Sequence, residues 1–326
     1  MNKKILVIRF GAIGDVVHTT IIHQSIKENH PNCELHFLTS DFIVPLLEAD
    51  PNLAKVYRFD NSKKDDFLYL LKLGLQFRKE KFDIVINMQN SIRNRFINLI
   101  ANPKKVVYRN KFRVHAVDAF FNSGKEVFPD LEKPKDLKLF LSDKTLASVE
   151  SKIQKYPRPF IVINPGGEND NARQGRIWPL TNWIDLSNKL IKKHGGTVFI
   201  VGSKGEKEYH KELLKIDSSV LFSGELTLDK SAALFKKADL FISGDSGPLH
   251  MASALGVNTL GLMGSTPATS CGPYGTKGYS IDPLYKCETG CDKVCLQAQD
   301  DKYKPCMTSI TVQTVLDFIK EKTLLD

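Results

Sequence analysis

The stretch Leu240–Gly264, LFISGDSGPLHMASALGVNTLGLMG, constrains the fold more than any other part of the chain. An apolar run ends in a polar turn carrying Asp245, Ser246 and Gly247, a helix opens near Pro248, and a second apolar run follows at Asn258–Met263. This strand–helix–strand alternation recurs along the chain. It predicts strands at Ile5–Phe10, Glu34–Thr39, Lys55–Phe59, Ile84–Asn87 and Lys105–Tyr108, with helices at Asp15–Asn29, Asp41–Ala49, Asp65–Glu80 and Ser91–Ile100. The second half repeats it, with strands at Phe160–Asn164, Thr197–Val201, Val220–Ser223, Leu240–Ser243 and Thr259–Met263. Helices between them are expected at Leu180–Lys193, Glu206–Lys215, Leu228–Ala238 and Pro248–Ala254. Such alternation builds mostly parallel, doubly wound sheets.

A length of 326 residues suits two α/β domains. A helix over Lys144–Lys155 stops at Tyr156-Pro157-Arg158-Pro159, which sets the expected boundary at about 155, with domains 1–155 and 156–326 facing each other across a cleft. The last helix, Val312–Thr323, is expected to pack back onto the first domain. The surplus of 46 Lys and Arg over 37 Asp and Glu gives +9 and favours anionic partners. Without a long polybasic run or an RNA-binding signature, nucleic acid is not expected among them. The opening strand is too short and too interrupted by Arg9, Gly11 and Gly14 for a signal peptide, and no segment reaches the ~20 apolar residues of a membrane span. A cytoplasmic protein with at most peripheral membrane contact is expected.

Four turns concentrate the chemistry. In Phe10-Gly11-Ala12-Ile13-Gly14-Asp15 the glycines allow close backbone approach, and Asp15 reads either as a helix cap or as a general base at the carboxyl end of the first strand. The three-glycine dinucleotide spacing is absent there, which disfavours a nicotinamide dehydrogenase. Asn164-Pro165-Gly166-Gly167 suits a phosphate approaching the backbone, with Arg173 or Arg176 as countercharge; Trp178 nearby reads as packing. Glu206, four residues after Gly202, reads as a ribose-binding acid or as an ordinary helix-start carboxylate. Asp245, Ser246, Gly247 and His250 converge on one turn and favour ligand binding over a simple cap. Arg109, Lys111, Arg113 and His115 alternate along one run, either gripping an anionic ligand or forming a solvated edge strand.

Cys287, Cys291, Cys295 and Cys306 follow C-x3-C-x3-C-x10-C spacing, compatible with a structural zinc or iron site or with reduced thiols. Cys33 and Cys271 stand apart and carry no assigned role.

In their order, GAIGD, NPGG, RIWP, GSKGE, GDSGPLH and the late Cys-Met resemble the bacterial lipopolysaccharide heptosyltransferases, glycosyltransferase family nine, over nearly the whole chain. The resemblance implies a GT-B fold of two Rossmann-like domains with the active site between them. It implies an inverting transfer without a catalytic metal or other cofactor. Asp15 then deprotonates the acceptor hydroxyl, with Gly14, Arg109, Lys111 and Arg113 on the acceptor side. Gly166 and Gly167 fall in the diphosphate loop, and Arg176 stands where well-known members carry a phosphate-contacting Lys. Glu206 falls on the ribose, Leu226 near the nucleobase, and Asp245, Ser246, Gly247 and His250 around the donor's sugar and phosphates. The implied reaction moves heptose from ADP-heptose to an anionic lipid-linked lipopolysaccharide core at the inner face of the cytoplasmic membrane, with closure of the domains around the substrates. A variant acting on a protein or another glycan stays open; some relatives that modify proteins hold iron through such a cysteine finger. A non-catalytic nucleotide-sugar binder is disfavoured by the presence of Asp15.

Overall fold

A computed structural model describes residues 3–109, 114–167, 175–285 and 304–325. Its contacts divide the chain into two units, Met1–Leu141 and Ser142–Asp326. The division falls before residue 155 because helix Asp143–Ile153 packs on helix Leu228–Lys236 of the second unit, where the Thr145 hydroxyl donates to Asp229 Oδ2 at 3.3 Å.

The first unit holds β1 (Lys4–Ile8), β2 (Glu34–Ser40), β3 (Lys55–Phe59), β4 (Ile84–Asn87) and β5 (Lys105–Tyr108), all parallel in the order β3-β2-β1-β4-β5. Ile5 to Ile8 are fully buried, as a central strand covered on both faces requires. Helices Ile13–Asn29 and Ala116–Lys125 pack together, and so do Phe67–Glu80 and Ile92–Ala101. The latter pair approach closely at Gly74, where a Cβ would come within 2.6 Å of Ile100 Cβ. Asp66 and Ser91 cap these two helices, accepting from the N–H groups of Tyr69 and Asn94. The helix expected over 41–49 is a single turn, Val44–Leu47.

The second unit holds β6 (Phe160–Asn164), β7 (Thr197–Ile200), β8 (Ser219–Leu221), β9 (Leu240–Gly244), β10 (Thr259–Leu262) and β11 (Gly278–Ile281). They too are parallel, in the order β11-β10-β9-β6-β7-β8. Counted within the unit this is 3-2-1-4-5-6, the Rossmann strand order, and the first unit has the same order without its sixth strand. β11 went unread in the sequence because its Gly-Tyr-Ser-Ile run is half-exposed at an edge and lacks an apolar signal. The expected helix over 206–215 is broken into the short helix Lys207–His210 between 3-10 turns.

The last helix, Val312–Glu321, corrects an expectation. It packs on helix Leu180–His194 inside the second unit, because its apolar stripe places Val315 and Ile319 in the core around Trp178, Trp183 and Leu186. Trp178 is core, with its indole N–H donating to the Ile310 carbonyl at 2.7 Å.

Candidate active site

An open parallel sheet binds ligands beyond the carboxyl ends of its strands, where the strand order reverses. In the second unit the reversal lies between β6 and β9, and the chain leaving those strands is Pro165-Gly166-Gly167 and Asp245-Ser246-Gly247. Hydrogen bonds lock the two exits together. The Ser243 hydroxyl donates to the Asn164 carbonyl at 3.0 Å and stands 2.8 Å from the Ser246 hydroxyl. Ser246 caps helix Gly247–Ala254, accepting from Leu249 N–H at 3.3 Å, so the helix opening presents its dipole and N–H groups beside both turns.

Asp245 is 6% exposed and stands 3.2 Å from Arg176 Nη2 and 3.6 Å from His250 Nε2. Burial pushes its carboxyl up, but the contact with His250 and the charge of Arg176 outweigh that and hold it below the ordinary carboxylate range. Arg176 also donates to the Thr266 hydroxyl at 2.9 Å. Its backbone runs hard against β9: a Cβ on Gly244 would lie 2.5 Å from the Arg176 carbonyl oxygen. The Cys271 thiol reaches the same side of the cluster, 3.7 Å from His250 Nε2.

His210 shapes the other turn. It is fully buried, its Nε2 donates to the Gly166 carbonyl at 2.9 Å, and its Nδ1 lies 2.7 Å from the Ser223 hydroxyl. A carbonyl only accepts, so the ring carries its proton on Nε2 and accepts from Ser223. Burial lowers its pKa against the raising effect of the Gly166 carbonyl. Glu206 closes a capping box with Ser203, accepting its N–H at 2.6 Å, and packs on Gly167, where a Cβ would sit 2.8 Å from Glu206 Cγ. Leu226 is half-buried in the turn after β8. Arg173 lies outside the described residues.

In the first unit the reversal lies between β1 and β4. Asp15 is not the helix cap; Ala12 holds that position, and Asp15 lies in the first turn with its carboxylate paired to Arg9. Arg9 is mostly buried, and its Nη1 donates to the Met88 carbonyl at 2.7 Å. Burial lowers the Arg9 pKa, and Asp15 opposes that. The exit of β4 contributes Gln89, whose side-chain oxygen accepts Phe10 N–H at 3.0 Å. Gly14 is buried in the same turn. Arg109 follows β5, with its guanidinium 4.8 Å from the centre of the Phe120 ring that Arg9 also faces at 5.8 Å. Lys111 and Arg113 lie outside the described residues. His115 belongs to no strand: its Nδ1 caps helix Ala116–Lys125, accepting Val117 N–H at 3.2 Å.

Of the four spaced cysteines only Cys306 is described, half-buried with Sγ 3.9 Å from the Gly175 carbonyl; Cys287, Cys291 and Cys295 lie outside the described residues. Arg9, His210, Thr266 and Cys271 meet the candidate site although the sequence assigns them no role there. Arg9 carried a signal, a charge closing an otherwise apolar strand. His210 carried none, since its neighbours Glu208, Lys211 and Glu212 are those of a solvated helix.

Two Rossmann-like parallel sheets, with a serine-capped helix opening beside an Arg176–Asp245 pair at the second reversal and a paired carboxylate at the first, define a GT-B α/β protein. The chain belongs to glycosyltransferase family 9 (heptosyltransferase), whose family profile matches residues 70–298. It is 24% identical over 347 residues to lipopolysaccharide heptosyltransferase 1 of Campylobacter coli, covering 98% of each chain. Among solved structures it resembles the family 9 glycosyl transferase of Veillonella parvula at a TM-score of 0.86 and 18% identity, over 99% of this chain and 98% of that one. It also resembles E. coli ADP-heptose lps heptosyltransferase II at 0.78 and 21%, over 98% of each. The protein is an enzyme, a glycosyltransferase of the heptosyltransferase type.

Proposed function

We propose that the protein transfers heptose from an ADP-linked donor to the core of lipopolysaccharide with inversion, Asp15 acting as general base. The observation that carries the reading is the position of both glycine- and serine-bearing turns at the β6/β9 reversal, with Arg176 and Asp245 paired beside a helix opening. The names of relatives supply the substrates: lipopolysaccharide in Campylobacter coli and ADP-heptose in the E. coli enzyme. In the step, Asp15 takes the acceptor hydroxyl proton as that oxygen bonds to the anomeric carbon. The bond from that carbon to the diphosphate breaks, and ADP leaves with the electron pair. Arg176 and the N–H groups opening helix Gly247–Ala254 stabilise the departing diphosphate, for which a guanidinium fork is well shaped. Gly166 and Gly167 admit the diphosphate to the backbone, Glu206 and Leu226 hold the nucleoside, and Asp245, Ser246, Gly247 and His250 hold the donor's sugar and phosphates. Arg9 orients Asp15, with Gly14 and Arg109 on the acceptor side together with Lys111 and Arg113.

Among the described residues no helix is long and apolar enough to cross a membrane. A lipid-linked acceptor calls instead for peripheral attachment at the cytoplasmic face. Exposed Phe67, Leu68, Ile92 and Leu99, on two helices that begin at the carboxyl edge of the first sheet, support that attachment. The test is calorimetric binding of ADP, UDP and GDP to the wild type and to Asp245→Ala. Preferential ADP binding, weakened by about tenfold or more in the variant as expected for a buried charged contact, supports the reading. Preference for UDP or GDP discards ADP-heptose, and no nucleotide binding overturns the assignment of the second unit.

A further inference from the structure

Asp245, His250 and Cys271 each offer one ligand atom, and these atoms lie within 4.8 Å of one another in a mostly buried cluster. The arrangement is not a proton relay. A Cys-His-Asp relay needs thiol and carboxylate on opposite ring nitrogens, whereas here both approach Nε2, at 3.7 Å from Cys271 Sγ and 3.6 Å from Asp245 Oδ1. Three donor atoms of these kinds within 4.8 Å of one another can chelate one cation. Ligand bonds of about 2.0–2.3 Å in a tetrahedron place neighbouring donor atoms roughly 3.3–3.6 Å apart, so the contacts of His250 with Cys271 and with Asp245 need to contract by only tenths of an ångström, and Asp245 and Cys271 close in from within 4.8 Å. Asp245 is 94% covered, and its Oδ2 has no aligned hydrogen bond although Arg176 lies 3.2 Å away.

We propose that Asp245, His250 and Cys271 form a zinc-class site that regulates the enzyme by competing with the donor. A thiolate, an imidazole and a carboxylate select a borderline-soft cation; magnesium and calcium take all-oxygen shells. Binding deprotonates Cys271, releasing one proton as the metal–sulfur bond forms, and leaves a fourth position for water. The metal also satisfies the Asp245 charge that Arg176 otherwise balances, which frees the guanidinium from its partner. The competition rests on the donor-site reading above, because Asp245 and His250 serve both ligands.

The test is a Co2+ titration of the reduced full-length protein, following thiolate-to-cobalt charge-transfer absorption, in the wild type, Cys271→Ser and Cys271→Ala, each with and without ADP. Because the segment bearing Cys287, Cys291 and Cys295 has thiols of its own, the readout is the difference between wild type and variants. Both variants are expected to lose one equivalent of this absorption. Inhibition by Zn2+ should weaken by at least about tenfold, since even outer-shell changes cost ten- to a hundredfold in metal affinity. ADP is expected to displace that equivalent from the wild type. Identical titrations in wild type and variants, with ADP binding intact, overturn the site. A Cys271-dependent equivalent that ADP fails to displace upholds the metal site and counts against the donor reading.

Discussion

Arg9 and Asp15 show how one residue's chemistry is set by another that the sequence separates from it only slightly. A carboxylate in the first turn of a helix is stabilised by the dipole, and the Arg9 guanidinium stabilises it further. In the proposed mechanism that pairing orients the group for the acceptor. Asp15→Asn keeps the shape and loses the base, so turnover should fall by about 10²–10⁴-fold, the usual worth of a general base. ADP affinity by calorimetry should stay unchanged; an equal loss of ADP affinity would move Asp15 from chemistry to structure. His210 gives a pH dependence. Burial lowers its pKa below the ordinary 6.5, so the unfolded chain takes up the proton first as pH falls. The stability from the neutral ring is therefore complete above that value and is lost as pH drops through it towards the folded pKa. Urea unfolding should show a stability decline below about pH 6.5 that His210→Gln flattens. Removing the ring leaves the Gly166 carbonyl and Ser223 hydroxyl to find new partners, at a cost of about 1–3 kcal/mol.

At the scale of elements, the strands of both sheets were legible because each central strand is a short apolar run between turn residues. What escaped were elements whose signal is not apolar periodicity: the edge strand β11 and the broken helix after β7. Tight element contacts were also invisible. β9 passes so close to the segment carrying Arg176 that Gly244 has no room for a Cβ. Gly244→Ala should destabilise by about 1–3 kcal/mol, the usual cost of overpacking. It should also weaken ADP binding, because the displaced backbone carries Arg176 away from Asp245. Denaturant unfolding and calorimetry on the same sample check both; a destabilised variant with wild-type ADP affinity would detach the Arg176 position from the donor site.

At the scale of the whole molecule, a charge of +9 favours anionic partners, and the exposed apolar side chains are the surface on which the proposed membrane attachment is tested. Ile92 is 87% exposed and Leu99 74%, so changing them leaves the core untouched. Full burial of such a side chain is worth about 1.5–3 kcal/mol, and each nearby basic residue adds about 1 kcal/mol at an anionic surface. The double variant Ile92→Asp/Leu99→Asp should therefore lower sedimentation with anionic vesicles by at least about tenfold at unchanged thermal stability. Wild-type binding should weaken as salt rises. Equal vesicle binding by both proteins would remove this surface from the reading.

The sequence by itself determined the alternation of strands and helices, the two-sheet class and the turns at residues 166–167 and 245–247, because those depend on residues a few positions apart. Only the tertiary structure decided that Val312–Glu321 serves the second core, that His210 holds Gly166, and that Arg176, Asp245, His250 and Cys271 meet. A buried charge or ring nitrogen needs a partner, and local pattern does not say which distant segment the packed core will bring to it.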